Sequence, residues 1–363
     1  MSRISRRQLL QSLMAATPLA VAGSQGLFPS AAANQRQPYM VAQTLPTLRY
    51  TLSWLPSSMD TPLALGNRLG YFSDEGIEVN VERGFGSADS ITKIAAGQYD
   101  LGEGDPYSMI EFMSRNPDSD LVAVYVHFNR SPFGIYTLKS SGITAPDQLA
   151  GKRLGAPAGD APRRLWPVFA NAVGVDPDSV EWTSMAPPLR APFLVGGQVD
   201  AISGFMTSAM PDLVQAGAPL DEIEPFFYND YGLDLYGNAI ITTRSFASEN
   251  TELLESFLRA YVRGWQETLA RPDASLLVAL DQARDNAQVL NPSIEKLRMD
   301  ISRERLFVTE EVMQNGLGDV NPERLDSSIE QVVAGFGLDT RPSVDEVFDG
   351  TYLPPLENRM LLS

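Results

Sequence analysis

The tetrapeptide Gly-Gln-Xaa-Asp occurs twice in this chain, at Gly97–Asp100 and at Gly197–Asp200. Each copy follows an apolar helical stretch, ending in Ile94-Ala95-Ala96 or Leu194-Val195-Gly196, and precedes a short apolar run, residues 100–104 or 200–205. Gly ends a helix because it enters left-handed backbone without steric penalty, and the Asp opens the strand that follows. Upstream, residues 48–53 answer 152–156, and 77–82 answer 180–185. Strand–helix–strand–helix–strand is therefore written twice, about one hundred residues apart, and internal repetition sets the architecture. Alternating strands and helices imply parallel sheets covered by helices on both faces. At 363 residues the chain is long enough for two cores. The expected class is α/β with two lobes, each a mostly parallel sheet flanked by helices. The ligand cleft lies between the lobes, at the carboxyl ends of the strands.

The stretch Gly151–Arg164 carries the sharpest local signal. A strand over 152–156 runs into a small-residue turn, and a helix opens at Pro162 with Asp160 as its N-cap. Free amides and the helix dipole at such a start favour a negative or electron-rich ligand group. Arg163 and Arg164 stand beside it, about 100° apart on a helix, so one of them is expected to reach that group. The plainer alternative is an ordinary turn with two solvated arginines. Strand ends and helix starts place further candidates around the cleft: Trp54, Asp60, Ser87, Asp105, Tyr107, Trp166, Arg190, Phe205, Thr207, Tyr236 and Asn238. The aromatics read equally as core, the arginines as ion pairs and Asp105 as a plain N-cap. As a ligand set, aromatics stack on a flat compound and arginines fork onto an acid. That mixture points to an aromatic or heterocyclic acid, with a small sulfonate close behind.

The first 33 residues read as an export signal rather than as structure. Arg6-Arg7 precedes a modest apolar run over 13–22, which is the twin-arginine pattern for delivery to the periplasm. Cleavage is expected after Ala33 or Ala22, and the run is too short and interrupted to span a membrane. Residues 34–46 form a polar leader. Lobe one is expected over 47–128 and 236–363, the latter part including the C-terminal helices, and lobe two over 129–235. The crossovers near Asn129–Pro132 and Asn229–Tyr236 would act as hinges.

Composition narrows the chemistry. There is no cysteine, so disulfides, a thiolate nucleophile and Cys-held metals are excluded. The one histidine, His127, ends an apolar strand and reads as structural. Net charge is −17, and removing the three arginines of residues 1–33 leaves 25 basic against 45 acidic side chains. Such a surface repels nucleic acid and anionic membranes. No catalytic residue, metal or cofactor is expected, and the expected partner is a small molecule, with the chain itself a monomer. The alternative is an enzyme on the same fold, in which Asp or Glu alone would move protons.

With these residues in place the chain resembles the SsuA/THI5-like (NMT1-like) solute-binding proteins of ABC importers. The resemblance covers about residues 48–270. It rests on Gly70-Tyr71-Phe72 with Glu75-Gly76-Ile77-Glu78-Val79, on both Gly-Gln-Xaa-Asp copies and on Gly151-Lys152-Arg153-Leu154-Gly155. It implies the two-lobed periplasmic-binding-protein fold of type II, hinged closure on a ligand and docking on an ABC permease in the inner membrane. Its implied ligands are sulfonates, nitrate-like anions or flat heterocycles such as thiamine-pyrimidine precursors. Heterocycle-binding relatives often carry His in the turn after the first strand, where this chain has Met59-Asp60-Thr61, and the eukaryotic enzymes of the family use a Cys-rich motif that this chain lacks.

Overall fold

The structure is a computed structural model and describes residues 45–362; the export segment and residues 34–44 of the leader lie outside them. Among the described residues ten strands make two sheets. The first holds β1 (Thr47–Thr51), β2 (Glu78–Glu82), β3 (Leu101–Gly104), β4 (Leu121–Val126) and β10 (Ala239–Thr243), in the order β2-β1-β3-β10-β4. The second holds β5 (Phe133–Leu138), β6 (Arg153–Ala156), β7 (Glu181–Ser184), β8 (Ala201–Phe205) and β9 (Ile223–Phe227), in the order β7-β6-β8-β5-β9. β1 runs parallel to β2 and β3, and β6 to β7 and β8. The strand that follows each crossover, β5 or β10, inserts antiparallel between two others. The two sheets therefore share one topology, as the repeated motif requires, and the fold is the two-lobed α/β class of periplasmic binding proteins.

The repeated Asp explains itself in the contacts. Asp100 accepts the backbone N–H of Arg49 at 2.8 Å and its Nε at 3.1 Å; Asp200 accepts the N–H of Arg153 at 2.9 Å and its Nε at 3.2 Å. Gly97 (φ 69°) and Gly197 (φ 68°) turn the preceding helix into position for this contact. In each lobe the clamp ties the residue just before the third strand to an arginine of the first strand by charge-assisted hydrogen bonds.

The core of the first lobe is strongly aromatic. β4 is buried along its whole length, and the helix Thr251–Ala270 lays Leu254, Phe257, Leu258, Tyr261 and Trp265 against the sheet. Phe257 stacks with Tyr50, Phe72 and Tyr261 at centroid distances of 5.6, 5.5 and 5.5 Å. His127 joins this cluster, its Nδ1 2.7 Å from the Tyr261 hydroxyl. Burial pushes its imidazole down to about 3, so the ring is neutral at physiological pH.

Two features position the cleft. The turns after β2 and β6 meet backbone to backbone: the Ala88 N–H donates to the Gly159 carbonyl at 3.3 Å. Gly86 has φ 123°, and a Cβ there would sit 2.2 Å from that same carbonyl oxygen. The C-terminal helices then reach across, with Pro292–Ser302 packing against both the turn Ser58–Asp60 of lobe one and the helix Met206–Gln215 of lobe two.

Replacing Asp100 or Asp200 by Ala should lower stability by about 1–2 kcal/mol each, after allowance for the partly exposed guanidinium. The clamps lie in separate lobes, so the double variant should lose about the sum. Urea unfolding of the three variants checks this; an unchanged midpoint for either single variant would show that its clamp does not hold the lobe.

Candidate functional site

The cleft opens at the carboxyl ends of β1, β3 and β8 and beside the start of β10. Lobe one contributes Trp54, Asp60, Ser87, Glu103 and Asn238; lobe two contributes Asp160, Phe205, Thr207 and Ser208. Val289 to Asn291, with Glu295 and Arg298, close the third side. Of the sequence candidates, this brings together Trp54, Asp60, Ser87, Phe205, Thr207 and Asn238. Asn238 is buried and oriented by its Nδ2 donating to Ser53 Oγ at 2.7 Å.

The other candidates lie elsewhere. The helix after Asp160 is a single turn, Ala161–Arg164. Arg163 Nη1 donates to the Ala156 carbonyl at 2.8 Å and to Ser184 Oγ at 2.9 Å, with its guanidinium 4.9 Å from the Trp182 ring. Arg164 forks onto Glu111. Neither guanidinium lines the cleft, which corrects the expectation of an anion contact there. The negative group at that helix start is the chain's own: Asp160 accepts the Arg163 N–H at 3.4 Å, the Ser203 hydroxyl at 2.6 Å and Arg190 Nη1 at 3.3 Å. Arg190 is 1% exposed and also donates to the Ser203 carbonyl and to Ser208 Oγ. It reaches the cleft only indirectly, as a support 4.7 Å from the Trp54 ring.

Asp105 caps the helix Pro106–Arg115 through the amides of Tyr107 and Ser108, at 3.1 and 2.8 Å. Burial lifts its carboxyl to about 6. The Tyr107 hydroxyl joins Ser328 Oγ to the Tyr236 N–H, and the Tyr236 hydroxyl donates to Glu311. Trp166 sits in the second core with its Nε1 on the Pro177 carbonyl at 2.9 Å. For Asp105, Tyr107, Trp166 and Tyr236 the structural reading holds, because core packing and hydrogen bonds within the fold already engage them.

Glu103 is the residue that sequence reasoning missed. It lies in β3, half-buried, and its carboxylate accepts the hydroxyls of Ser53 and Tyr50, each at 3.3 Å. Among the described residues it has no salt-bridge partner, and burial pushes it up to about 7. Asp60 is raised well above the usual range, first by burial and then by Glu103 beside it. The cation that bears on Asp60 is Arg298, and Arg298 is held by Glu295 and Asp212, each at 3.1 Å, and by the Thr207 carbonyl. Glu295 in turn accepts the Ser58 N–H at 2.7 Å, so the Glu295–Arg298 pair ties the lobe-one turn to lobe two.

A signal for Glu103 was present in the repeat. Asp60-Thr61-Pro62 and Asp160-Ala161-Pro162 stand in the same hundred-residue register as the Gly-Gln-Xaa-Asp copies. In that register lobe two has Arg190 and Ser203 where lobe one has Ser90 and Glu103. Lobe two therefore neutralises its capping Asp, whereas lobe one lacks the arginine and adds a second acid. The cleft can accept hydrogen bonds from, and balance the charge of, a flat donor-bearing compound held near Trp54 and Phe205.

The chain is similar in sequence and in fold to known proteins. The formylaminopyrimidine-binding protein of Halalkalibacterium halodurans is 26% identical, over 76% of this chain and 80% of that protein. The 4-amino-5-hydroxymethyl-2-methylpyrimidine phosphate synthase of Legionella pneumophila is 22% identical, over 61% of this chain and 69% of that protein. The alkanesulfonate-binding protein SsuA of Xanthomonas axonopodis pv. citri, solved with MOPS, superposes with a TM-score of 0.63 at 15% identity, over 83% of this chain and 98% of that one, and shares the fold. Residues 58–275 match the model of the family described as NMT1/THI5 like. The chain belongs to the NMT1/THI5-like family.

Proposed function

We propose that this chain is the binding component of an ABC importer, and that it captures a small, flat nitrogen heterocycle bearing amino or ring N–H donors. The observation that carries the reading is the uncompensated Glu103 beside Asp60 on the floor of a cleft walled by Trp54 and Phe205. A half-buried carboxylate at a cleft floor without a cation is costly to ionise, and a ligand that donates N–H groups or brings positive charge offsets that cost. Such a ligand reverses the sign expected from Arg163 and Arg164, and the formylaminopyrimidine-binding relative supports the same class of compound. Export by the twin-arginine route, residence in the periplasm, a monomeric state and lobes of 47–128 plus 236–363 and 129–235 complete the proposal, with closure about the two crossovers.

An enzyme is the second reading. It is favoured by one observation, a Glu poised near pH 7 in a cleft, and by the synthase relative. The binding reading is preferred because the sequence holds no cysteine and its one histidine is buried neutral in the aromatic core. Incubation with a candidate pyrimidine followed by mass spectrometry separates the two: the binding reading expects the compound returned unchanged.

Titration calorimetry with formylaminopyrimidine tests the site. Glu103→Gln keeps the shape and removes the charge, and should weaken binding roughly 10- to 100-fold, the worth of a charged hydrogen bond. Parent-like affinity in that variant would sink the assignment. Affinity of the parent for a flat probe that keeps its charge between pH 6 and 8, such as benzamidinium, should rise with pH as the carboxyl near 7 ionises, and this rise should be absent in Glu103→Gln.

Stability without ligand should move the other way. In the fold Glu103 holds its proton up to about 7, against an ordinary value of 4.5. Between these values the native state binds more protons than the unfolded chain, so the stability present below 4.5 is lost as pH rises through about 7. Glu103→Gln should therefore raise the melting temperature at pH 8 by roughly 2–4 °C and change it little at pH 5. Equal shifts at both values would show that the carboxyl is not raised.

A further inference from the structure

The two crossovers between the lobes are joined to each other. They run antiparallel as a ribbon that prolongs β4 and β10. The His127 N–H donates to the Asn238 carbonyl at 2.7 Å, the Gly237 N–H to the Phe128 carbonyl at 2.8 Å and the Ser131 N–H to the Leu235 carbonyl at 3.0 Å.

One side chain grips both crossovers. Arg324, in the first turn of the helix Pro322–Phe336, sends Nη1 to Asn129 Oδ1 of the first crossover at 3.4 Å and Nη2 to the Leu235 carbonyl of the second at 3.2 Å. Nη2 also pairs with Asp234 at 3.0 Å, and the guanidinium lies 3.9 Å from the centre of the Tyr236 ring. Glu311 holds Nη1 at 3.0 Å and accepts the Tyr236 hydroxyl at 2.7 Å, while Asn129 also accepts the Thr309 hydroxyl at 2.7 Å. The helix that carries Arg324 touches both lobes. Its Ser328 Oγ receives the Tyr107 hydroxyl of lobe one at 3.0 Å, and it packs on the lobe-two helix Trp166–Ala172. The lining of the cleft includes none of Arg324, Glu311, Asn129 and Asp234.

Rotation of one lobe against the other is absorbed by φ and ψ changes in the crossovers. Such changes move the Leu235 carbonyl and the Asn129 side chain relative to the helix. A planar, rigid guanidinium fork meets both together over a narrow range of lobe angle. The angle seen here is the one at which the turns at Gly86 and Gly159 touch. We propose that Arg324 is a positioning residue for binding: it braces both crossovers at this angle, and so holds the ligand-free chain toward the closed cleft. The inference rests on closure about the crossovers, proposed above, and not on the identity of the ligand. Without the brace the open form gains population, and binding then bears the cost of closure.

The chain has no cysteine, so two introduced thiols are its only labelling sites. Spin labels at Asn80→Cys and Glu181→Cys, both exposed on the edge strands β2 and β7, report the distance between the lobes by pulsed dipolar spectroscopy. Without ligand the parent should give one short, narrow distance. Arg324→Gln removes the fork, and Arg324→Lys keeps the charge without the fork; each should move population to a longer distance. Asp234→Asn removes only the exposed partner and should keep the parent distance. Formylaminopyrimidine should return the Arg324 variants to the short distance. Its affinity, by calorimetry, should fall about tenfold where the closed form falls to roughly a tenth. Gly86→Ala is the control for lobe movement, because its Cβ would lie 2.2 Å from the Gly159 carbonyl oxygen and drive the turns apart. Melting curves establish that the variants fold, and if Arg324→Gln does not, Arg324→Lys decides. An unchanged distance in the Arg324 variants, with a longer one in Gly86→Ala, overturns the brace and leaves hinged closure standing. No lengthening in any variant overturns closure about the crossovers and this inference with it. Lengthening in the Arg324 variants without any binding of the pyrimidine supports the brace and overturns the reading of the ligand.

Discussion

The buried pair of Arg190 and Asp160 is the contact on which the cleft depends. Taking both charges out of water is expensive, and the expense is offset only because each finds several partners. Asp160 caps a helix start and receives Ser203 as well as the guanidinium. Arg190 spreads its donors over Asp160, the Ser203 carbonyl and Ser208. The same guanidinium lies against the ring of Trp54 from the other lobe. One ion pair thus closes the strand ends of lobe two, supports the aromatic wall and uses up the positive charge that would otherwise attract an anion.

Lobe one is built to the same plan with two exchanges, Ser90 in the place of the arginine and Glu103 in the place of Ser203. The shared plan explains the equal sheets, the two Asp–Arg clamps and the backbone contact between the turns at Gly86 and Gly159. The exchanges explain the chemistry. A structural acid that is neutralised in one lobe becomes, in the other, a pair of acids lining the cleft with Trp54 and Phe205. Arg298 does not neutralise them, because Glu295, Asp212 and the Thr207 carbonyl hold it as a strut between the lobes.

Much of the fold was legible in the sequence, and the sign of the site was not. Ten strands followed from alternation, from glycines that must leave helices and from the repeated Asp, all of which act locally. The arginines at 163 and 164 looked available because their partners are distant in sequence: Glu111 lies 53 residues before Arg164, and Ser184 lies 21 after Arg163. Glu103 looked like one acid among many in an acidic chain, since nothing local says that its strand end is buried. Glu295 and Arg298 lay in helices read only as cover, because a strut to a turn 237 residues away leaves no local mark. What could have been found was the broken register of the repeat, where Ser90 and Glu103 depart from Arg190 and Ser203.

The charge that the cleft selects is the property on which the function turns. Direct competition measures it: the parent chain is loaded with formylaminopyrimidine and challenged with a simple alkanesulfonate of similar size, with displacement followed by calorimetry. The uncompensated acids predict that the pyrimidine binds and that the sulfonate does not displace it even in large excess. Tight binding of the sulfonate, with no binding of the pyrimidine, would contradict the account at its centre.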